Sequence, residues 1–142
     1  MDPSLNGKWA YRSFRAEPIV LKDGKLDGNP DLAKVWAPLG EVDAETDAAG
    51  IVKGKLTFPP PFPPGAALLV TGRVIPAAEP LPASLEVTAE GLTAIYKIKG
   101  FFVPEGDHVV GTVVAVANDL GKQPDGTLGP FVLYQAHNSK TA

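Results

Sequence analysis

The chain has 142 residues, enough for one domain, residues 1–142, that buries roughly 70% of its unfolded surface. It has no cysteine, which excludes disulfides, thiolate metal sites and a cysteine nucleophile, and fits a reducing, cytoplasmic setting. The net charge is −3, and the 13 basic residues are spread along the chain without clustering, which argues against nucleic acid or an anionic surface as partner.

The chain opens with "MDPSLNGKW", where no basic region precedes an apolar stretch, so no signal peptide is expected. No apolar run approaches the length of a membrane-spanning helix, and no membrane contact is expected. The first predicted strand is Gly7–Arg15, with Trp9, Tyr11 and Ser13 on one face. "NPDLAKVWAPL" (Asn29 to Leu39) is the best helical candidate, but Pro38 ends it within a short turn. Further strands are predicted at Leu39–Thr46, Ile51–Phe58, Ala66–Pro76, Ala83–Ala89, Thr93–Val103, His108–Asn118 and Pro130–Asn138. Turn signals separate them, among them "DAAG" (47–50), "PPPFPPG" (59–65), "PAAEPLP" (76–82), "EG" (90–91), "PEGD" (104–107) and "NDLGKQPDG" (118–126). Fifteen Gly and 15 Pro, a fifth of the chain, suit many short strands joined by turns. Eight consecutive strands with short links predict an all-β, antiparallel, up-and-down β-barrel.

Most strands alternate. Val52, Leu56 and Phe58 oppose Lys53, Lys55 and Thr57; Leu85, Val87 and Ala89 oppose Ser84, Glu86 and Thr88; Tyr96 and Ile98 oppose Lys97 and Lys99. Such strands have one dry face, which lines the barrel. "HVVGTVVAVA" (His108 to Ala117) and "FVLYQA" (Phe131 to Ala136) are apolar on both faces and need a second cover. A homo-oligomer built on the outer faces of strands 108–118 and 130–138 is therefore expected; cover by the Pro-rich loop 59–65, or an uncovered patch, is the alternative.

Gly7-Lys8-Trp9 at the start of the first strand of an eight-stranded meander resembles the calycin superfamily: lipocalins, fatty-acid-binding proteins and avidins. The resemblance implies that Trp9 closes one end of the barrel and packs near an Arg. The lipocalin pattern puts that Arg late in the chain, whereas the only arginines here are Arg12, Arg15 and Arg73, leaving Arg12 or Arg73 as substitutes. "LLVTGRVIPAAEP" (Leu68 to Pro80) is similar to a strand and loop of streptavidin-like barrels. Biotin binding does not follow. The avidin site needs several hydroxyl and amide groups and several Trp walls. This chain has four Ser (4, 13, 84, 139) and only Trp9 and Trp36, with Ser13 alone in a matching place.

Candidate ligand-binding residues are Trp9, Tyr11, Ser13, Trp36, Arg73 and Tyr96. If their shared face of the first strand is inward, Trp9, Tyr11 and Ser13 descend from plug to pocket, and a buried Tyr11 needs a hydrogen-bond partner; a register one residue off turns Arg12 and Phe14 inward instead. Trp36 sits where a lid over the barrel rim would be. Tyr96 lies between Ala94 and Ile98 and faces the lumen. Arg73 is either on the wet face or inside, paired with a carboxylate or an anionic ligand. The competing reading makes Trp9 plain core, Trp36 a rim residue and Arg73 a solvated one. Small inward residues (Gly54, Gly72, Ala94, Gly111) predict a cavity, although Trp9, Tyr96 and Phe102 can refill it.

No phosphate loop, nucleophile elbow, metal cluster or cofactor motif is present, so neither cofactor nor metal is expected. Asp107 and His108 are adjacent, and strand alternation argues against their pairing. Glu41, Asp43, Glu45 and Asp47 form an acidic, solvated face. The function expected is a barrel holding a small hydrophobic or aromatic molecule in its lumen. The alternative is a cofactor-independent cyclase or isomerase using Tyr11, Tyr96, His108 or Glu41.

Overall fold

The computed structural model describes residues 4–14, 20–27, 39–59, 66–104, 107–118 and 125–136. Among these residues there are ten strands: β1 (Gly7–Ser13), β2 (Val20–Lys22), β3 (Lys25–Asp27), β4 (Gly40–Thr46), β5 (Ile51–Thr57), β6 (Ala67–Ile75), β7 (Ser84–Gly91), β8 (Ala94–Phe102), β9 (His108–Asn118) and β10 (Leu128–Gln135). Eight close into a barrel in the order β1-β10-β9-β8-β7-β6-β5-β4, every pair antiparallel. All eight strands read from the alternation are in it. Closure leaves no exposed strand edge in the barrel.

β2 and β3 form a separate two-stranded hairpin that the alternation did not reveal. Its signal is the Asp23-Gly24 turn, with both residues at positive φ (53° and 75°), as a two-residue hairpin of this hand requires. Three-residue strands are too short to show a period. Leu21 and Leu26, paired across it, are exposed. Trp36 and most of the expected turn at 29–39 lie outside the described residues.

Antiparallel order sorts the connections onto two ends. One end, named here for Trp9, holds the start of β1 and the turns at 47–50, 76–83 and 103–107. The other, named for Tyr96, holds the connections spanning 14–39, 58–66, 92–93 and 119–127. At the Trp9 end the turns are locally bonded. The Asp47 carboxylate accepts from the N–H groups of Ala49 and Ile51, each at 2.9 Å, so one side chain caps the β4–β5 link. The chain before β1 is tied to the end of β4: Leu5 N–H donates to Thr46 Oγ1 at 2.8 Å, and Thr46 N–H donates to the Asn6 side-chain oxygen at 2.6 Å. That places Leu5, 1% exposed, inside the barrel end.

The inner face is an apolar column. Trp9, Val42, Val52, Leu56, Leu68, Val70, Leu85, Val109, Val113, Phe131 and Leu133 are all buried. The expected cavity is absent from its middle. The space enclosed by Leu5, Tyr11, Val42, Leu56, Ile98 and Leu133 amounts to about 10 Å³, no more than a single water requires. The inward glycines do not open a void; they let neighbouring strands approach. A Cβ on Gly72 would lie 2.6 Å from Val87 Cα, and one on Gly111 2.4 Å from Gly100 Cα. Missing side chains here tighten the coil of the sheet.

Outside, cross-strand charges pair. Glu86 lies opposite Arg73 and Lys99, at 3.2 and 3.3 Å. Lys99, then Arg73, hold its carboxyl below the usual range. Lys8 and Glu41 pair at 3.3 Å on the same outer surface.

Candidate functional site

Period two on β1 turns Trp9, Tyr11 and Ser13 inward, as expected, but these residues serve different ends. Trp9 is the third residue of β1, paired with Gln135, the last of β10, and so stands at the Trp9 end. It is 3% exposed, and its indole Nε1–H has no hydrogen-bond partner among the described residues. The Arg expected beside it is not there. Arg12 follows Tyr11 on the outer face, Arg73 is ion-paired outside, and Arg15 lies outside the described residues. Trp9 is therefore held by shape.

Tyr11 and Ser13 continue towards the opposite end, where Tyr96, the third residue of β8, also enters. The Tyr11 ring is buried and stacks on Phe131, centroids 6.0 Å apart at 28°. Burial drives its phenol well above the ordinary value; a hydrogen bond with the Ser13 side chain pulls the other way, and the nearby Tyr96 phenol adds to the rise. Tyr96 is half-buried, and desolvation pushes it up to about 12. Two phenols and a buried hydroxyl thus share the inner wall, and both phenols keep their protons at any physiological pH. Ala89 and Ala115, directly opposite Tyr96 on β7 and β9, leave room for its ring. Thr127, fully buried and missed by sequence reading, joins this end: its carbonyl accepts from Ala115 N–H at 2.8 Å. Its only signal was a polar residue bordering an apolar strand.

Among the described side chains, no inward position of the eight barrel strands carries a formal charge, and Tyr11, Ser13, Thr46, Tyr96 and Gln135 are polar ones there. A charge placed on this wall would be unpaired in an apolar surrounding.

The remaining candidates do not converge on it. Arg73 lies on the outer face, because Val70, Gly72 and Val74 point inward and alternation sends Arg73 out to Glu86. Glu41 is outside with Lys8. His108 is at the Trp9 end, where its ring meets Tyr134 edge-on at 4.7 Å. Contrary to expectation, His108 Nδ1 pairs with the Asp107 carboxylate at 2.9 Å. Asp107 sits in a bend before β9, so strand alternation does not govern it.

The site and the barrel define a class of fold, a closed antiparallel eight-stranded barrel with a polar inner end. Set against known proteins, the chain matches no family model, no curated protein and no solved structure.

Proposed function

We propose that this protein is a small-molecule-binding barrel of calycin-like type, and that its ligand is seated at the Tyr96 end against Tyr11, Ser13 and Tyr96. The observation that carries this reading is the gathering of two un-ionised phenols and a buried hydroxyl at one end of a largely apolar column that carries no charge among its described inward positions. Protonated phenols donate hydrogen bonds, so the wall suits a neutral ligand with an aromatic or aliphatic body and a carbonyl, ester or hydroxyl acceptor. Among the described residues, a carboxylate finds no cation on the inner wall. The filled middle of the barrel keeps the ligand at the end and away from the centre.

Catalysis is supported less. Of the acid–base candidates, Glu41 lies on the outer surface and His108 at the opposite end, leaving only the two phenols inside. A phenol with its proton held this tightly is a poor general base near neutrality.

Fluorescence titration with matched neutral and carboxylate aromatics tests the reading. Saturable binding of neutral ketones or esters is expected, weakened at least about tenfold by the Tyr96→Phe, Ser13→Ala pair of substitutions. Absence of saturable binding across the panel, or equal affinity in the folded double variant, would refute it.

A further inference from the structure

We propose that the outer face of β9 and β10 is a homodimer interface, covered by the same face of a second copy of this chain. The outward positions of the two strands are in register: Val110 lies opposite Val132 and Phe101, Val114 opposite Leu128, and Tyr134 opposite His108. Phe101, Val110, Leu128 and Tyr134 are each 40–47% exposed. They lie side by side on two paired strands and the β8 residue next to them, so the exposed apolar side chains form one contiguous patch, the kind of surface that marks an interaction site.

Charge selects the occupant. From Val110 to Val116 and from Leu128 to Tyr134 no outward residue is charged, whereas the flanking strands carry Lys97 and Lys99 opposite Val114 and Thr112 and Arg12 opposite Val132, with Arg73 and Glu86 beyond. In a two-fold contact, residues near the axis meet their own copies, so like charges there repel. A neutral stripe is the surface that can face itself. The charged surface beside it suits solvent. Because the barrel is closed, β9 and β10 offer no free edge to another sheet, and association on this face packs side chains against side chains.

Sedimentation velocity decides it. The chain is expected to sediment at twice its 14.9 kDa mass at micromolar concentration. The Val114→Lys, Val132→Lys variant, checked for fold by far-ultraviolet circular dichroism, is expected to be monomeric, its dimer at least ~100-fold weaker. Thr71→Lys, on the charged face, is expected to leave the dimer intact. A second measurement stands if the double variant does not fold. The chain lacks cysteine, so Thr112→Cys in the middle of the stripe is expected to link to its twin through a short bis-maleimide, and Thr71→Cys is not. A wild-type monomer at several hundred micromolar, a dimer that survives both lysines, or equal linking at both cysteines would overturn the proposal. Flotation of a monomer with neutral phosphatidylcholine vesicles would also overturn it, giving the patch to lipid.

Discussion

The two ends of this barrel are built from the same strands and solve opposite problems. At the Trp9 end, Leu5 and a large indole fill the taper, the N-terminal segment is bonded to the end of β4, and the turns are short. The indole N–H is left without a partner among the described residues, so apolar volume outweighs polar satisfaction there. At the Tyr96 end the wall carries hydroxyls, one tyrosine is only half-buried, and the β7–β8 hairpin turns through Leu92 and Thr93, both at positive φ (52° and 63°). One end is thus filled with apolar volume even at the expense of an indole donor, while the other carries hydroxyls and a turn with two non-glycine residues at positive φ. Strain and buried polar groups persist where surrounding structure over-determines them, and they gather at functional sites.

The largest effect is expected at the indole. Trp9→Ala is expected to cost about 3–5 kcal/mol, read from urea unfolding. Trp9→Phe is expected to cost roughly 1–2 kcal/mol, because it keeps a ring and removes the unpaired donor. Equal costs for the two would mean that Trp9 does not act as a volume plug.

Alkaline unfolding sharpens the other half. Folded-state phenols raised above the ordinary 10 contribute stability that is fully present below about pH 10. That stability is lost as pH rises through the folded value of about 12 for Tyr96, since the unfolded chain ionises first. Stability is therefore expected to be flat in these groups from pH 7 to 10 and to fall above it, less steeply in Tyr11→Phe. A fall beginning near pH 8 would contradict the burial of these phenols.

A smaller effect is expected at the strained turn. Replacing Leu92-Thr93 with Asn-Gly places residues suited to positive φ in the β7–β8 hairpin and is expected to raise stability by about 1–2 kcal/mol. Smallest is Tyr96→Phe, which leaves the ring in place and is expected to change stability by less than ~1 kcal/mol while weakening the ligand. A large loss of stability would make Tyr96 a structural residue like Trp9.

Much of the barrel was legible because burial on one face writes a period of two into β4, β5, β7 and β8. β10 starts at Leu128, two residues before the predicted start at Pro130. A proline inside a strand reads as a boundary, yet Pro130 is accommodated near the finish of β1, where its carbonyl accepts from Phe14 N–H at 3.0 Å. The same alternation placed Tyr96 inward and grouped Tyr11 with Ser13 on one face, but which face of β1 points inward was not legible, and the structure turns that one in. In the sequence Arg73 stays open between the wet face and the lumen, because Thr71 and Ile75 on its own face do not decide it; the structure sends it out to Glu86. Space was not legible. A small side chain in a sequence means equally a cavity or a close approach, and Gly72 and Gly111 are close approaches. Pairing within a bend was not legible either, because Asp107 precedes the strand whose rule was applied to it.

Backbone chemical-shift mapping of a bound neutral aromatic ketone tests the division of labour most directly. The account predicts perturbations clustered on Ser13, Ala94, Tyr96, Ala115 and Thr127, with the amides of Gly50 and Val74 at the opposite end unmoved. Perturbations centred on the Trp9 end, or on the outer strand faces, would contradict it.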